Sequence, residues 1–108
     1  MATSEDLRRL ALSLPGTVER QHMDRRACKV ARIYATLAPN EQTANLKFTL
    51  DEQELKCQLS PELFQPLANG WGRLGWTQIS LQAATLADLQ AALELAHSHA
   101  QRRPKPAR

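Results

Sequence analysis

Five basic side chains in one short stretch of this sequence are suited to binding anions. The stretch RQHMDRRACKVAR, residues 20–32, carries Arg20, Arg25, Arg26, Lys29 and Arg32. Guanidinium groups bind phosphates and guanine edges through paired hydrogen bonds. If the stretch forms strands and turns, Arg25 and Arg26 fall at one hairpin tip and Arg32 at the next. The pattern predicts either an anion-binding surface or an ordinary solvated hairpin.

A second stretch, NGWGRLGW at residues 69–76, holds both tryptophans and three of the four glycines. Asn-Gly is a strong tight-turn signal, and glycines let a backbone fold back on itself. Trp71 and Arg73 therefore suit a stacking and phosphate-binding surface for a base or nucleotide. The alternative is that the rings lock the loop. We favour that anchoring role for Trp76, which opens the last predicted strand, and leave both roles open for Trp71.

No catalytic constellation accompanies these two stretches. The sequence has no GxSxG, HExxH or GxxxxGK motif, and no cysteine beside a plausible base. His22 lies among the arginines, where a solvated or backbone-bonded imidazole is more common than a catalytic one. We therefore expect a protein that is not an enzyme and that needs no cofactor.

The remaining histidines and the cysteines give no sign of a metal site. Cys28 and Cys57 lack any metal-ligand spacing, so we expect both to be small buried hydrophobic residues. His97 and His99 lie two apart on a predicted helix and so point in different directions. We expect both at the surface, with no metal bound.

Three helices are predicted to support the two stretches. The first covers residues 4–14, with a capping box formed by Thr3 and Asp6 and a stop at Pro15. The second covers residues 51–58, followed by a helical turn in SPELF. The third follows Thr85, and its predicted buried stripe is Leu86, Leu89, Leu93, Ala96 and Ala100.

Alternating residues predict the strands. They cover residues 18–22, 28–30, 33–37, 44–50 and 76–81. In the fourth strand, Leu46 and Phe48 share one side and Asn45 and Lys47 the other. A meander of strands with helices at both ends predicts an α+β fold. Its form is a two-layer sandwich, an antiparallel sheet with the N- and C-terminal helices packed on one face.

Length and charge set the expected domain boundaries. A chain of 108 residues fits one domain, which we place at residues 1–101, before a basic, disordered tail over residues 102–108. The net charge of +3 belongs to that tail, which holds four of the 14 basic residues and leaves 10 against 11 acidic ones. No apolar run reaches the roughly 20 residues of a membrane span, and the start lacks a secretory layout. We expect a soluble, cytoplasmic protein without a membrane partner, most simply a monomer.

Three segments together resemble the MmcQ/YjbR family over about residues 5–97. They are ALSLPGTVERQHMDRRACKVARIYATLAP at residues 11–39, LKFTLDEQELKCQLSPELFQP at residues 46–66 and NGWGRLGWTQISL at residues 69–81. The most distinctive parts are SLPGT, at residues 13–17, followed by a charged strand, and WGRLGW, which matches a W-G-R-x-G-W pattern. The resemblance implies a frataxin/CyaY-like fold and DNA binding through a double-wing arrangement. Met23 to Arg26 stand where relatives often place a phenylalanine-glycine turn. Frataxins rely on an acidic ridge, whereas this first helix offers only Glu5 and Asp6 beside Arg8 and Arg9, so iron delivery is not expected.

The resemblance implies that the wings map to the hairpins around Arg25 and Arg26 and around Arg32. We therefore expect a DNA-binding protein that contacts phosphates through these arginines, Arg20 and Lys29, with Arg73 and Trp71 as secondary contacts. The alternatives are a small-molecule or anion-binding module, with a pocket beside WGRLGW, and a protein-interaction domain.

Overall fold

A computed structural model describes residues 2–101, and its elements alternate much as the sequence predicts. The helices are α1 (Ser4–Ser13), α2 (Leu50–Leu59) and α3 (Leu86–Gln101). The strands are β1 (Val18–His22), β2 (Arg25–Lys29), β3 (Ile33–Leu37), β4 (Thr43–Lys47), β5 (Phe64–Pro66) and β6 (Trp76–Ser80), with a 3-10 turn at Gly72–Leu74. The predicted tail over residues 102–108 lies outside the described residues.

The strands form one antiparallel sheet in the order β1-β2-β3-β4-β6-β5. The first four strands are a meander, and β6 then inserts between β4 and β5. This arrangement confirms the α+β sandwich. The sequence prediction missed β5 and placed a helical turn in SPELF, where the structure has a hydrogen-bonded turn over residues 61–63 followed directly by the strand.

The helices pack on one face of the sheet, and the core lies between the two layers. The largest buried side chains of this layer include Leu7, Tyr34, Leu46, Phe48 and Leu93. Tyr34 donates a hydrogen bond to the Ala11 carbonyl at 3.3 Å, which ties α1 to the sheet. Cys28 belongs to this core, and burial raises the pKa of its thiol to about 11. The expectation for Cys28 is thus confirmed, whereas Cys57 is half-buried.

Each α-helix begins with a reciprocal capping box. In α1 the Thr3 hydroxyl accepts from the Asp6 amide while the Asp6 carboxylate accepts from the Thr3 amide. The same exchange occurs between Thr49 and Glu52 and between Thr85 and Asp88. Each box satisfies two of the amide donors that a helix start leaves free.

Two predictions for α3 are wrong. Leu86 is 48 % exposed, because it precedes the part of the helix that faces the sheet. His97 is 5 % exposed, with its ring edge-on to Tyr34 and its Nε2 2.8 Å from the Pro15 carbonyl. It is therefore a core residue that joins α3 to the chain after α1. His99 is half-buried, with its Nε2 2.8 Å from the Glu52 carboxylate.

A β-bulge in β3 decides which side chains reach the second face of the sheet. Cys28 pairs with Ala35 but Lys29 pairs with Ile33, so Tyr34 is an extra residue in its strand. Both Tyr34 and Ala35 are consequently buried against the helices. The extra residue shifts the alternation of side chains in β3, so Ile33 lies on the opposite face, beside Lys29.

Candidate functional site

The sheet face opposite the helices, here called the open face, carries most of the polar strand residues. Strand register assigns these members to it: Val18, Arg20, His22, Arg25, Ala27, Lys29, Ile33, Thr36, Thr43, Asn45, Lys47, Gln65, Trp76, Gln78 and Ser80. One row runs from Arg20 through Ala27, Thr36, Asn45 and Gln78 to Gln65. Residues paired across strands share a face, so this row crosses the whole sheet.

Four members of the open face are cationic and none is acidic: Arg20, Arg25, Lys29 and Lys47. Carboxylates lie near it at two corners. Asp24 stands in the β1–β2 turn, and Glu62 borders a hollow beside Gln65 and Gln78. The face therefore has a net positive charge, which Asp24 partly offsets beside Arg25, although residues 1–101 as a whole are close to neutral.

A groove of about 380 Å³ lies on the open face. Its lining residues are His22, Arg25, Ile33, Thr36, Asn45, Leu67, Trp71 and Trp76. The volume falls within the range of about 300–1,000 Å³ that small-molecule sites occupy. The groove combines two indole rings, one guanidinium and two short polar side chains, which are the groups that bind a planar, negatively charged ligand.

Arg25 is held in place by the neighbouring strand. Its Nε donates to the Thr36 hydroxyl at 2.9 Å, and its Nη2 donates to the Thr36 carbonyl at 3.3 Å. Burial lowers the pKa of Arg25, and the nearby Asp24 carboxylate partly offsets that effect. The guanidinium stays charged, because arginine retains its proton in proteins, and Nη1 remains available to a ligand.

The loop that carries Trp71 is built by two glycines and one buried amide. A Cβ on Gly72 would lie 2.0 Å from the Leu67 carbonyl oxygen, and Gly75 has a φ of +103°. From α2, the Gln53 amide donates to the carbonyls of Gly72 and Trp76, at 3.0 Å each. These contacts fix the loop against the sheet and leave Trp71 58 % exposed at the rim of the groove.

Trp76 opens β6, as predicted, and is half-buried. Its amide donates to the Trp71 carbonyl at 3.2 Å, so the two tryptophans are joined through the backbone. Lys47, its cross-strand partner, donates from Nζ to the Leu74 carbonyl. Burial and the nearby Arg32 lower the pKa of Lys47.

The structure divides the seven predicted site residues. Arg20, Arg25 and Lys29 share the open face, and Trp71 stands at the rim of its groove. Arg20 and Lys29 make no side-chain hydrogen bond or ion pair within residues 2–101. Arg73 is exposed in the 3-10 turn and is not among the residues that line the groove.

Arg26 and Arg32 lie elsewhere. Arg26 points to the helix side, where its Nη1 is 3.4 Å from the Glu19 carboxylate. Arg32 donates from Nη2 to the His99 carbonyl at 2.8 Å, near the end of α3. The hairpin tip itself is Met23 and Asp24, so Arg25 and Arg26 begin β2 rather than form the turn, contrary to the prediction.

Sequence reasoning did not select the polar floor of the groove, Thr36 and Asn45, or the fourth cation, Lys47. A signal was present, because alternation in β4 already separated Asn45 and Lys47 from Leu46 and Phe48. What alternation does not show is which strands become neighbours.

Metal and membrane features are absent from the part of the chain that the structure describes. Residues 2–101 contain no cluster of three or more histidine, cysteine, aspartate or glutamate side chains placed to hold a metal ion. Within the same range, no helix has the length and apolar composition required to cross a membrane.

Comparison with known proteins supports the fold. No family model matches the chain, and no curated protein matches it in sequence. The crystal structure of protein DR2400 from Deinococcus radiodurans, a DUF419 domain, is similar, with a TM-score of 0.72 and 22% identity. The similarity covers 86% of this chain and 74% of that one. At this identity the comparison establishes a shared fold.

Proposed function

We propose that this protein binds DNA through the open face of its sheet and that its role is binding rather than catalysis. The observation that supports this most is the gathering of four cations, with no carboxylate among them, on one side of a sheet whose other side is covered by helices. Charge of one sign on one surface attracts a polyanion even when the whole domain is near neutral.

The phosphate contacts that we propose differ from those expected of hairpin tips. Arg20 and Lys29 supply cations that have no side-chain partner within residues 2–101, and Arg25 supplies Nη1 from a fixed position. Arg26 is excluded, because it is already paired with Glu19 on the other face. In this proposal DNA contacts one continuous sheet surface, with the β1–β2 hairpin at its edge, instead of two separate wings.

We also infer membership of the MmcQ/YjbR family. The support is the quoted similarity over residues 5–97, together with the way WGRLGW is used. Both of its glycines, Gly72 and Gly75, stand where a Cβ would collide with a backbone carbonyl, so the motif has a structural reason to keep them.

A salt titration followed by fluorescence anisotropy tests DNA binding. We expect affinity for a labelled DNA at low salt, with log K falling linearly against log salt. Replacing both Arg20 and Lys29 by alanine should weaken binding and flatten the slope by roughly 1.5 to 2. Arg26→Ala, in the same hairpin but on the other face, is the matched control and should change the slope little.

Two results would contradict the proposal. One is an absence of binding at low salt by the full chain. The other is a loss of all binding when residues 102–108 are removed, because the four basic residues of that segment would then account for the affinity. If Arg26→Ala weakens binding as much as the double variant, DNA binding stands, but the helix side of the β1–β2 hairpin makes contacts that we assign to the open face.

A second candidate function is favoured by the groove. A concave site with two tryptophans and a fixed guanidinium also suits a small planar anion. This alternative predicts that a mononucleotide quenches tryptophan fluorescence, with little response to the length of the DNA.

A further inference from the structure

The groove on the open face offers an exposed tryptophan ring and a half-buried amide side chain, which double-stranded DNA has no unpaired base to contact. We propose that it receives an unpaired base, so that the protein binds single-stranded DNA in preference to duplex DNA. This inference rests on the proposed DNA binding and specifies the form of DNA.

Trp71 presents an exposed ring on a fixed backbone. Its ring is more than half exposed, yet its backbone is fixed at both ends: the amide donates to the Asn69 side chain at 3.0 Å and the carbonyl accepts from Trp76. An exposed ring on a fixed backbone offers a stacking face at a lower ordering cost than a ring on a mobile loop. In a duplex the faces of the bases are covered by their neighbours, so only an unpaired base can use this ring.

The groove also contains an amide side chain without a hydrogen-bond partner among the described residues. The Asn45 side chain is half-buried there and makes no hydrogen bond with any residue in 2–101. Gln78 does not line the groove, but it is the cross-strand neighbour of Asn45, and its half-buried side chain also makes no hydrogen bond within residues 2–101. A carboxamide provides both donors and an acceptor, which match the edge of a base that has lost its pairing partner.

The groove is elongated across the sheet. Its lining extends from His22 on β1 to Trp76 on β6, which is four strand spacings or about 19 Å. Beside it on the same face, Lys29 and Arg20 make no side-chain hydrogen bond or ion pair within residues 2–101 and extend the positive charge along β2 and β1. A single nucleotide would leave these cations unused, whereas an extended strand reaches both the tryptophans and the cations.

The test compares three ligands at one salt concentration: a labelled single strand of about 12 nucleotides, the same sequence as a duplex, and a mononucleotide. Anisotropy reports binding of the two labelled DNAs, and tryptophan quenching reports occupation of the groove by all three. We expect the single strand to bind most tightly and to quench fluorescence, and the mononucleotide to bind far more weakly.

Trp71→Ala should weaken single-strand binding about 5- to 160-fold, the range for loss of one stacked base, and should change duplex binding less than twofold. Leu74→Ala is the matched control, an equally exposed apolar residue of the same loop. Trp71→Phe should restore most of the affinity. Circular dichroism of each variant verifies folding.

The outcomes separate the two proposals. If neither DNA binds, the proposed function fails and the groove inference fails with it. If the duplex binds as tightly as the single strand, or Trp71→Ala weakens both equally, DNA binding stands and the preference for an unpaired base is wrong. If the mononucleotide binds and quenches as strongly as the oligonucleotide, the groove is a small-molecule site and the strand inference is overturned.

Discussion

The Arg25 guanidinium is bonded twice to Thr36 on the adjacent strand, through the hydroxyl at 2.9 Å and the backbone carbonyl at 3.3 Å. A cation that lines the groove is therefore ordered before any ligand arrives. Fixing a side chain in advance removes part of the entropy cost of binding. Arginine side chains are usually flexible, but these two hydrogen bonds hold the Arg25 side chain in one position on the open face.

Removing the Thr36 hydroxyl should release Arg25. We expect Thr36→Val, which keeps the β-branched shape, to lower the free energy of unfolding by about 1 kcal/mol through loss of one hydrogen bond. DNA affinity should also fall, because Arg25 is then no longer held at the groove. Urea unfolding and anisotropy measure the two effects. Thr43→Val, on the same face but without a side-chain hydrogen bond in the described residues, should change stability by less than about 0.5 kcal/mol.

The tryptophan loop should depend on Gly75 and not on Gly70. At Gly75 a Cβ would lie 1.9 Å from the Phe48 carbonyl oxygen, and the φ of +103° disfavours any other residue. We expect Gly75→Ala to destabilise the fold by about 3 kcal/mol or more. A Cβ on Gly70 meets nothing within 4 Å, so Gly70→Ala should lie within about 0.5 kcal/mol of the parent. Thermal unfolding distinguishes the two, and equal effects would mean that the loop is not packed as described.

Glu19 should make the free energy of unfolding fall as the pH is lowered. The Arg8 guanidinium, with Nε at 2.7 Å and Nη2 at 3.0 Å from the two carboxylate oxygens, holds the pKa of Glu19 below its ordinary range. The unfolded chain then takes up the proton at a higher pH than the folded one. The stabilisation is therefore complete above about pH 4.3, the usual glutamate pKa, and is lost as pH falls through the folded value.

Glu19→Gln should remove that component. We expect the variant to be less stable at pH 7 and to lose less stability between pH 5 and pH 3 than the parent, measured as urea midpoints. Glu54→Gln, which removes an exposed carboxylate of α2, is the matched control for the loss of one negative charge. A parent profile that is flat below pH 5 would contradict the role assigned to Arg8.

Local sequence signals predicted the elements well, for physical reasons that can be named. Alternation marked the strands that are half-buried, and the threonines at positions 3, 49 and 85 marked helix starts because their partners lie three residues away. The signal failed for β5, which has three residues and ends at Pro66. A strand that short has no period to detect, and proline is unusual within a sheet.

The candidate site was harder to predict, because it depends on which strands become neighbours. Sequence selected Arg25 and Trp71, but it also selected Arg26, whose side chain lies on the other face because successive strand residues alternate. The bulge at Tyr34 resets that alternation in β3. The insertion of β6 beside β4, which brings Trp76 next to Lys47, has no local signature.

Two histidines that the sequence treats alike should behave differently. His97 is buried, with its ring edge-on to Tyr34 and bonded to the Pro15 carbonyl, 82 residues away in the chain. His97→Ala leaves a cavity and removes both contacts, so we expect a loss of about 2–4 kcal/mol. His99→Ala removes only a half-exposed contact with Glu52 and should cost less than about 1 kcal/mol. Urea unfolding at pH 7 decides between the two. Similar losses of stability in both variants would mean that α3 does not pack through His97. The contact between His97 and the Pro15 carbonyl would then not hold α3 against the chain that follows α1.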